Sequence, residues 1–352
     1  MEKGRGAQIN PHNKFAKEEI VVEEAFKEFC RLNNEKWKNA KTDYINVEPK
    51  TIITKVDSPD VPFNYSINPY QGCEHGCVYC YARNSHQYWG YGSGLDFEKK
   101  ILVKRNAAHL LRNELEKKNW KAALVMLSGN TDCYQPIERK LKITRSLLEV
   151  FEEKKHPVGI ITKNSLIKRD IDLLSSLNDQ NLLRVTLSIT SLKEETRRLL
   201  EPRTASVKQR LKTLEELSKA GIKVNVNMAP IIPGLNSEEI LELAKTVSEY
   251  GAHSIAYIML RLNGQIGSIF TDWVQKAMPL KANRILHLIR DTRSGKLNES
   301  RWNKRMKGEG AFAEHVSGLF KIARQKYFQN TERQPINFDV FEKKSQSQLK
   351  LF

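Results

Sequence analysis

The stretch Asn68-Pro-Tyr-Gln-Gly-Cys-Glu-His-Gly-Cys-Val-Tyr-Cys-Tyr-Ala82 places Cys73, Cys77 and Cys80 at the spacing Cys-x3-Cys-x2-Cys. Thiolates are soft ligands that select zinc, copper(I) or an iron–sulfur cluster, and a closed tetrahedral zinc site needs a fourth ligand. His75 is a candidate for that fourth place in a small zinc knuckle. Three thiolates alone leave a metal position open, as in a four-iron cluster whose fourth iron takes a substrate or cofactor. Gly72 and Gly76 let the chain wrap closely around a metal, and Tyr79 and Tyr81 supply aromatic cover. Two further cysteines, Cys30 and Cys133, make an odd total of five in 352 residues. With no signal peptide evident, that count suggests a reduced, cytoplasmic protein rather than a disulfide scaffold.

The formal charge is +17, and residues 271–330 hold 13 Lys or Arg against 5 Asp or Glu. Such a basic excess is the electrostatic footprint of a protein that meets a polyanion, although a solvated lysine-rich surface gives the same count. No apolar run approaches the roughly 20 residues of a membrane helix.

Residues 1–58 are polar and read as an N-terminal extension with one amphipathic helix over 18–33. Residues 49–67 are extended in character. Beyond the cysteines, helices and short apolar runs alternate. A helix over 106–118 precedes a strand over 122–127, and one over 137–153 precedes 158–162. The helix over 169–177 leads to 183–189, that over 207–220 to 223–228, and that over 237–250, opened by Ser237, to 254–260. With a first strand at 65–68 this gives six strands. Such alternation means parallel pairing through crossovers, and six units make a partial (β/α)6 barrel, an α/β fold. A full eight-unit barrel would need two more apolar strands, whereas 266–342 reads as a helical, basic C-terminal extension. The barrel is expected over 59–265 and a flexible tail over 343–352.

In α/β barrels the chemistry lies at the C-terminal strand ends. Those ends carry the cysteines, then Ser128-Gly-Asn-Thr-Asp-Cys-Tyr-Gln-Pro-Ile-Glu138, Thr162-Lys163, Ser188-Ile-Thr190 with Glu201-Pro-Arg-Thr204, and Met228-Ala-Pro-Ile-Ile-Pro-Gly-Leu-Asn236. This set, in this order, resembles the spore photoproduct lyase-like branch of the radical S-adenosylmethionine (SAM) superfamily over about residues 60–265. The resemblance implies a 4Fe-4S cluster on Cys73, Cys77 and Cys80, reductive cleavage of SAM to a 5′-deoxyadenosyl radical, and an external electron donor such as flavodoxin or ferredoxin. It places Thr131 and Asp132 at the SAM ammonium, Lys163 at the SAM carboxylate, Ser188 at the ribose or carboxylate, and Met228, Pro230 and Ile232 along the adenine. The lyases carry a hydrogen-donating cysteine three residues before the Asp of the second-strand motif, where this chain has Gly129. Cys133 and Tyr134 are the candidate catalytic residues, with packing the favoured role for Cys133. The run 88–94, rich in Tyr and Gly, reads as a loop able to cover the site.

The last residues, Gln348, Leu349, Lys350, Leu351 and Phe352, resemble the Gln-Leu-x-Leu-Phe motif that docks bacterial repair proteins in the sliding clamp, a peptide anchored in a groove by apolar side chains. The combined expectation is a radical SAM enzyme acting on nucleic acid, DNA first. The alternatives are a radical SAM enzyme for a peptide, RNA or small metabolite, and a zinc-stabilised nucleic-acid-binding module.

Overall fold

The computed structural model describes residues 4–16, 32, 41–329 and 334–341. The expected helix over 18–33 falls almost wholly outside the described residues, as do Cys30 and the five C-terminal residues. Among the described residues ten strands form: β1 (Asp43–Asn46), β2 (Ile53–Lys55), β3 (Tyr65–Ile67), β4 (Tyr70–Gln71), β5 (Lys100–Val103), β6 (Val125–Leu127), β7 (Val158–Thr162), β8 (Leu183–Ser188), β9 (Val224–Ile231) and β10 (Ser254–Met259).

The larger sheet has the order β10-β9-β8-β7-β6-β3-β2. Six of its strands, β3 and β6 to β10, pair parallel in chain order. That is the expected partial barrel. Its two edges are β10 and β2, the latter antiparallel to β3, so the segment before residue 59 contributes a strand to the barrel sheet.

Strand residues alternate between faces, and the register shows what each face holds. Ser66 pairs with Met126, Met126 with Gly159, Thr186 with Asn225, and Ser188 with Asn227. This inner face carries mostly small and polar side chains, with Met126 and Ile161 among them. The opposite face carries Val125, Leu127, Ile160, Val185, Leu187, Val226 and Met228, all buried in the main core. Burying each such aliphatic side chain stabilises the fold by roughly 1.5–3 kcal/mol.

The helices follow local chemistry. Ser206 caps Val207–Lys219 in a reciprocal box with Gln209, satisfying amides that the helix itself leaves unpaired. The helix expected over 137–153 is two helices, Glu138–Leu141 and Ile143–Glu153, because Lys142 adopts φ 54° between them. Ser237 does not cap its helix. It lies in a 3-10 turn, Ser237–Glu239, and its hydroxyl accepts from Gly234 N at 3.3 Å.

Beyond β10 the chain is helical, as expected: Ile266–Ala277, Pro279–Asp291, Lys304–Lys307 and Ala311–Tyr327. The last of these packs along the barrel edge, where Phe320 stacks on Tyr257 with ring centroids 4.2 Å apart. A second sheet, β1-β5-β4, had no counterpart in the sequence reading. It flanks the cysteine loop, which leaves β4 directly. No helix among the described residues is long and apolar enough to cross a membrane.

Candidate active site

Cys73, Cys77 and Cys80 lie in one loop between β4 and a 3-10 helix, Tyr81–Trp89, and all are free thiols. Cys73 and Cys77 are buried and Cys80 is partly so. Cys80 packs against both of the small apolar clusters that contain the other two, so the three sulfurs converge on one place. Burial pushes each thiol up, and for Cys73 the neighbouring Asp132, Cys77 and Cys80 add to it. Binding a cluster displaces those protons and relieves the repulsion. The donor set therefore fits a 4Fe-4S cluster, which holds its thiolates at separate corners. Among the described residues no three His, Cys, Asp or Glu are gathered closely enough for a single metal ion.

The His75 ring lies between Asn164 and Asp132. Its Nε2 lies 3.1 Å from Asn164 Nδ2, and its Nδ1 sits 3.3 Å from Asp132 Oδ2, at ion-pair distance though without hydrogen-bond alignment.

The loop is held from behind by charges. Arg83, fully buried, donates from Nε and NH2 to the Cys77 carbonyl at 3.0 and 2.9 Å, and pairs through NH2 with Glu98 Oε1 at 2.5 Å. Glu98, also fully buried, accepts from Gly6 N at 3.1 Å and Ala7 N at 2.8 Å. The N-terminal segment is thereby stitched to the cysteine loop. Gly76 has φ 67°, and a Cβ there would sit 2.8 Å from Glu98 Oε2, so only glycine serves. Nothing in the sequence singled out Arg83 or Glu98, because their burial depends on pairing across the fold.

Asp132 is a hub. Its Oδ1 accepts from Tyr134 N at 2.9 Å and Thr162 Oγ1 at 2.8 Å, and its Oδ2 accepts from Lys163 N at 2.8 Å beside His75. Burial pushes the carboxyl up, but His75 and these hydrogen bonds outweigh it and hold it at about 2. A carboxylate offers about four lone-pair sites, and here three take hydrogen bonds from the protein while His75 lies alongside. Asp132 thus ties the segment after β6 to the end of β7. Thr131 is likewise satisfied internally, its hydroxyl donating to Tyr70 O at 2.5 Å.

Lys163 differs. Its Nζ makes no hydrogen bond or ion pair among the described residues, lies 6.0 Å from the Tyr79 ring centroid, and is close enough to Cys77, Cys80 and Glu201 for its charge to lower all three. Glu201, buried, accepts from Tyr79 OH, from Thr190 Oγ1 at 2.6 Å, and from Arg210 NH2. Burial raises the Glu201 carboxyl, and Arg210 and Lys163 pull it down to about 2. The sequence showed Glu201 as part of a motif without a role.

Register decides the remaining positions. Ser188 pairs with Asn227 on the inner face, and continued alternation along β7 puts Lys163 on that face too. Met228, expected along the adenine, is one residue out of phase and packs in the main core. Asn227, which sequence reasoning missed, takes the inner position, and its Oδ1 is buried without a hydrogen-bond partner. Ile232 packs with Cys77 and Tyr79. Pro230 is buried, its carbonyl accepting from Asn236 Nδ2 at 3.0 Å. Cys133 is buried in the main core, its thiol pushed up by burial. Tyr134 points its hydroxyl to Asp170 Oδ2 at 3.1 Å, in a buried network with Arg169 rather than toward the cysteines. Within the run 88–94, Tyr91 stacks on His86 at 5.2 Å and Tyr88 meets Phe15 in a tilted contact at 4.9 Å.

Residues 67–247 match the model of the Radical SAM superfamily. The uncharacterized protein Rv2578c of Mycobacterium tuberculosis is 31% identical over 244 residues, 68% of this chain and 72% of that protein. The Radical SAM Nalpha-GlyT isomerase of Pseudomonas phage M6 is 28% identical over 190 residues, 53% of this chain and 37% of that protein. Among solved structures, spore photoproduct lyase complexed with dinucleoside spore photoproduct aligns with a TM-score of 0.59 at 16% identity, covering 87% of this chain and 91% of that one. That likeness shows a shared fold. The three-thiol loop at the mouth of a six-stranded partial barrel, joined to the family match across half the chain, makes this protein a radical SAM enzyme of the radical SAM superfamily.

Proposed function

We propose that this enzyme binds a 4Fe-4S cluster through Cys73, Cys77 and Cys80, holds SAM against the inner face of the barrel, and acts on nucleic acid, with DNA the first substrate to test. The single observation that carries the SAM pocket is the unpaired Lys163 ammonium beside the cysteines, on the same face as Ser188 and Asn227. With a cluster bound, the chemistry supplied is one-electron cleavage of SAM to a 5′-deoxyadenosyl radical. The chain's own part is to bind and orient. Lys163 meets the SAM carboxylate, Ser188 and Asn227 meet its polar edges, and Ile232 gives an apolar wall. Asp132 and Glu201 act as positioning residues that lock the strand ends. An external flavodoxin or ferredoxin supplies the electron.

Lys163→Ala is expected to weaken SAM binding to the reconstituted protein by about 2 kcal/mol or more, the cost of truncating a desolvated charge pair, with iron content unchanged. Equal SAM affinity by isothermal titration would remove Lys163 from this role.

Nucleic acid as substrate is supported by the basic charge and by the fold shared with a lyase complexed with a dinucleoside photoproduct. Direct repair of that photoproduct by the lyases' cysteine route is disfavoured. Position 129 is Gly, a Cβ there would lie 2.7 Å from Ser66 Cβ, and Cys133 is sealed in the core. Mass spectrometry of undamaged and ultraviolet-damaged DNA after incubation with enzyme, SAM and reductant tests the substrate. A changed nucleoside is expected, and unchanged DNA alongside turnover of a peptide, RNA or metabolite would favour the alternative. Docking of the tail residues Gln348 to Phe352 in a sliding clamp is proposed from sequence alone.

A further inference from the structure

Three guanidinium groups crowd the edge of the barrel mouth, and two are satisfied. Arg293, almost fully buried, donates to the carbonyls of Met259, Leu260, Lys304 and Arg305, tying the end of β10 to the segment 304–305. Arg305 pairs with Asp60, donates to Ser58 Oγ at 2.8 Å, and stacks over Trp302 with 3.7 Å from Cζ to the ring centroid. Asp60 is itself occupied, since its other oxygen accepts from Asn303 N at 2.7 Å.

Arg261 is the third. It follows β10 at the C-terminal strand end, the end that carries the cysteines. Among the described residues its Nε is buried without an acceptor, and its NH1 meets only the thioether of Met306 at 3.4 Å. Burial and the charge of Arg305 act against its protonated form and outweigh Tyr81 and Asp60, which favour it. The carboxylate beside it, Asp60, is committed to Arg305 and Asn303. A partly buried guanidinium whose hydrogen-bond partner among the described residues is a weak sulfur gains stability when a further anion joins it. Arginine's planar fork suits phosphate oxygens bidentately. Two exposed rings accompany this group: Tyr81, the residue after Cys80, lies within electrostatic reach of Arg261 and is 53% exposed, and Trp302, stacked against the neighbouring Arg305, is 47% exposed. Exposed rings beside cations form stacking platforms for unpaired bases.

We infer that Arg261 receives a backbone phosphate of a nucleic-acid strand at the barrel mouth, with Trp302 and Tyr81 offering faces to its bases. This rests on the nucleic-acid reading of the substrate and assigns it a contact point next to the cysteine loop.

The test uses the full-length reconstituted protein and a fluorescein-labelled single-stranded DNA oligonucleotide, with binding followed by anisotropy across a salt series. Arg261→Gln is expected to weaken binding about tenfold and to lower the slope of log affinity against log salt by about one, the loss of one phosphate contact. Arg198→Gln, on an exposed helix face, should leave both unchanged. Trp302→Ala should weaken binding about tenfold, with the slope unchanged, through lost stacking. Iron content and melting temperature report whether each variant folds. If Arg261→Gln does not fold, the Trp302→Ala result decides, and wild-type affinity in that variant overturns the inference. Wild-type binding by a folded Arg261→Gln variant, slope included, would overturn it while leaving the nucleic-acid reading in place. Absence of salt-dependent binding by the unaltered protein would end both.

Discussion

Replacing Cys73, Cys77 or Cys80 singly by Ala is expected to abolish iron–sulfur incorporation and to reduce SAM cleavage to background. Each sulfur comes from the same short loop, so no other described thiol can substitute. Cys133 lies in the main core, while Cys73, Cys77 and Cys80 share the two small clusters at the loop. Cys133→Ala should therefore keep the cluster and its absorbance. Iron and sulfide analysis after anaerobic reconstitution, with 5′-deoxyadenosine measured by chromatography, distinguishes the four variants. Full SAM cleavage by any of the three loop variants would refute the ligand assignment.

The second large effect concerns the buried pair behind the loop. Arg83 and Glu98 are both fully enclosed, and removing one partner leaves the other charge uncompensated in the interior, which costs about 3–5 kcal/mol. Glu98→Ala also takes the acceptor from Gly6 N and Ala7 N, so the N-terminal segment should detach from the loop as stability falls. Denaturant unfolding of the apoprotein measures the loss, and iron retention reports its consequence for the site. The double variant Arg83→Met with Glu98→Met should be less damaged than Glu98→Ala alone, because no buried charge remains. A Glu98→Ala variant within 1 kcal/mol of the unaltered protein would show that the pair does not hold the loop, since that is well below the cost of an orphaned buried charge.

What the sequence showed and what it hid follow from the range of the interactions. The cysteine spacing, the βα alternation and the strand-end motifs are local signals, and each was readable from adjacent residues. The sheet β1-β5-β4 was not, because β5 (Lys100–Val103) is held by pairing with Asp43–Asn46, more than fifty residues away in the chain. Arg83 and Glu98 look like surface charges until folding encloses them. The exchange of Met228 for Asn227 on the inner face turns on a single-residue register, which strand pairing sets and a one-residue step inverts. The break at Lys142 carries no Gly or Pro to announce it. Asp132 was located at the site, but its role as hub depends on donors from Thr162, Lys163 and His75 that only the folded chain brings together.

The three-thiolate assignment is tested most directly by reconstituting the full chain anaerobically with iron and sulfide, adding SAM and dithionite, and measuring 5′-deoxyadenosine. The unaltered protein should form it and Cys77→Ala should not. A protein that binds zinc without iron and yields no 5′-deoxyadenosine would contradict the assignment.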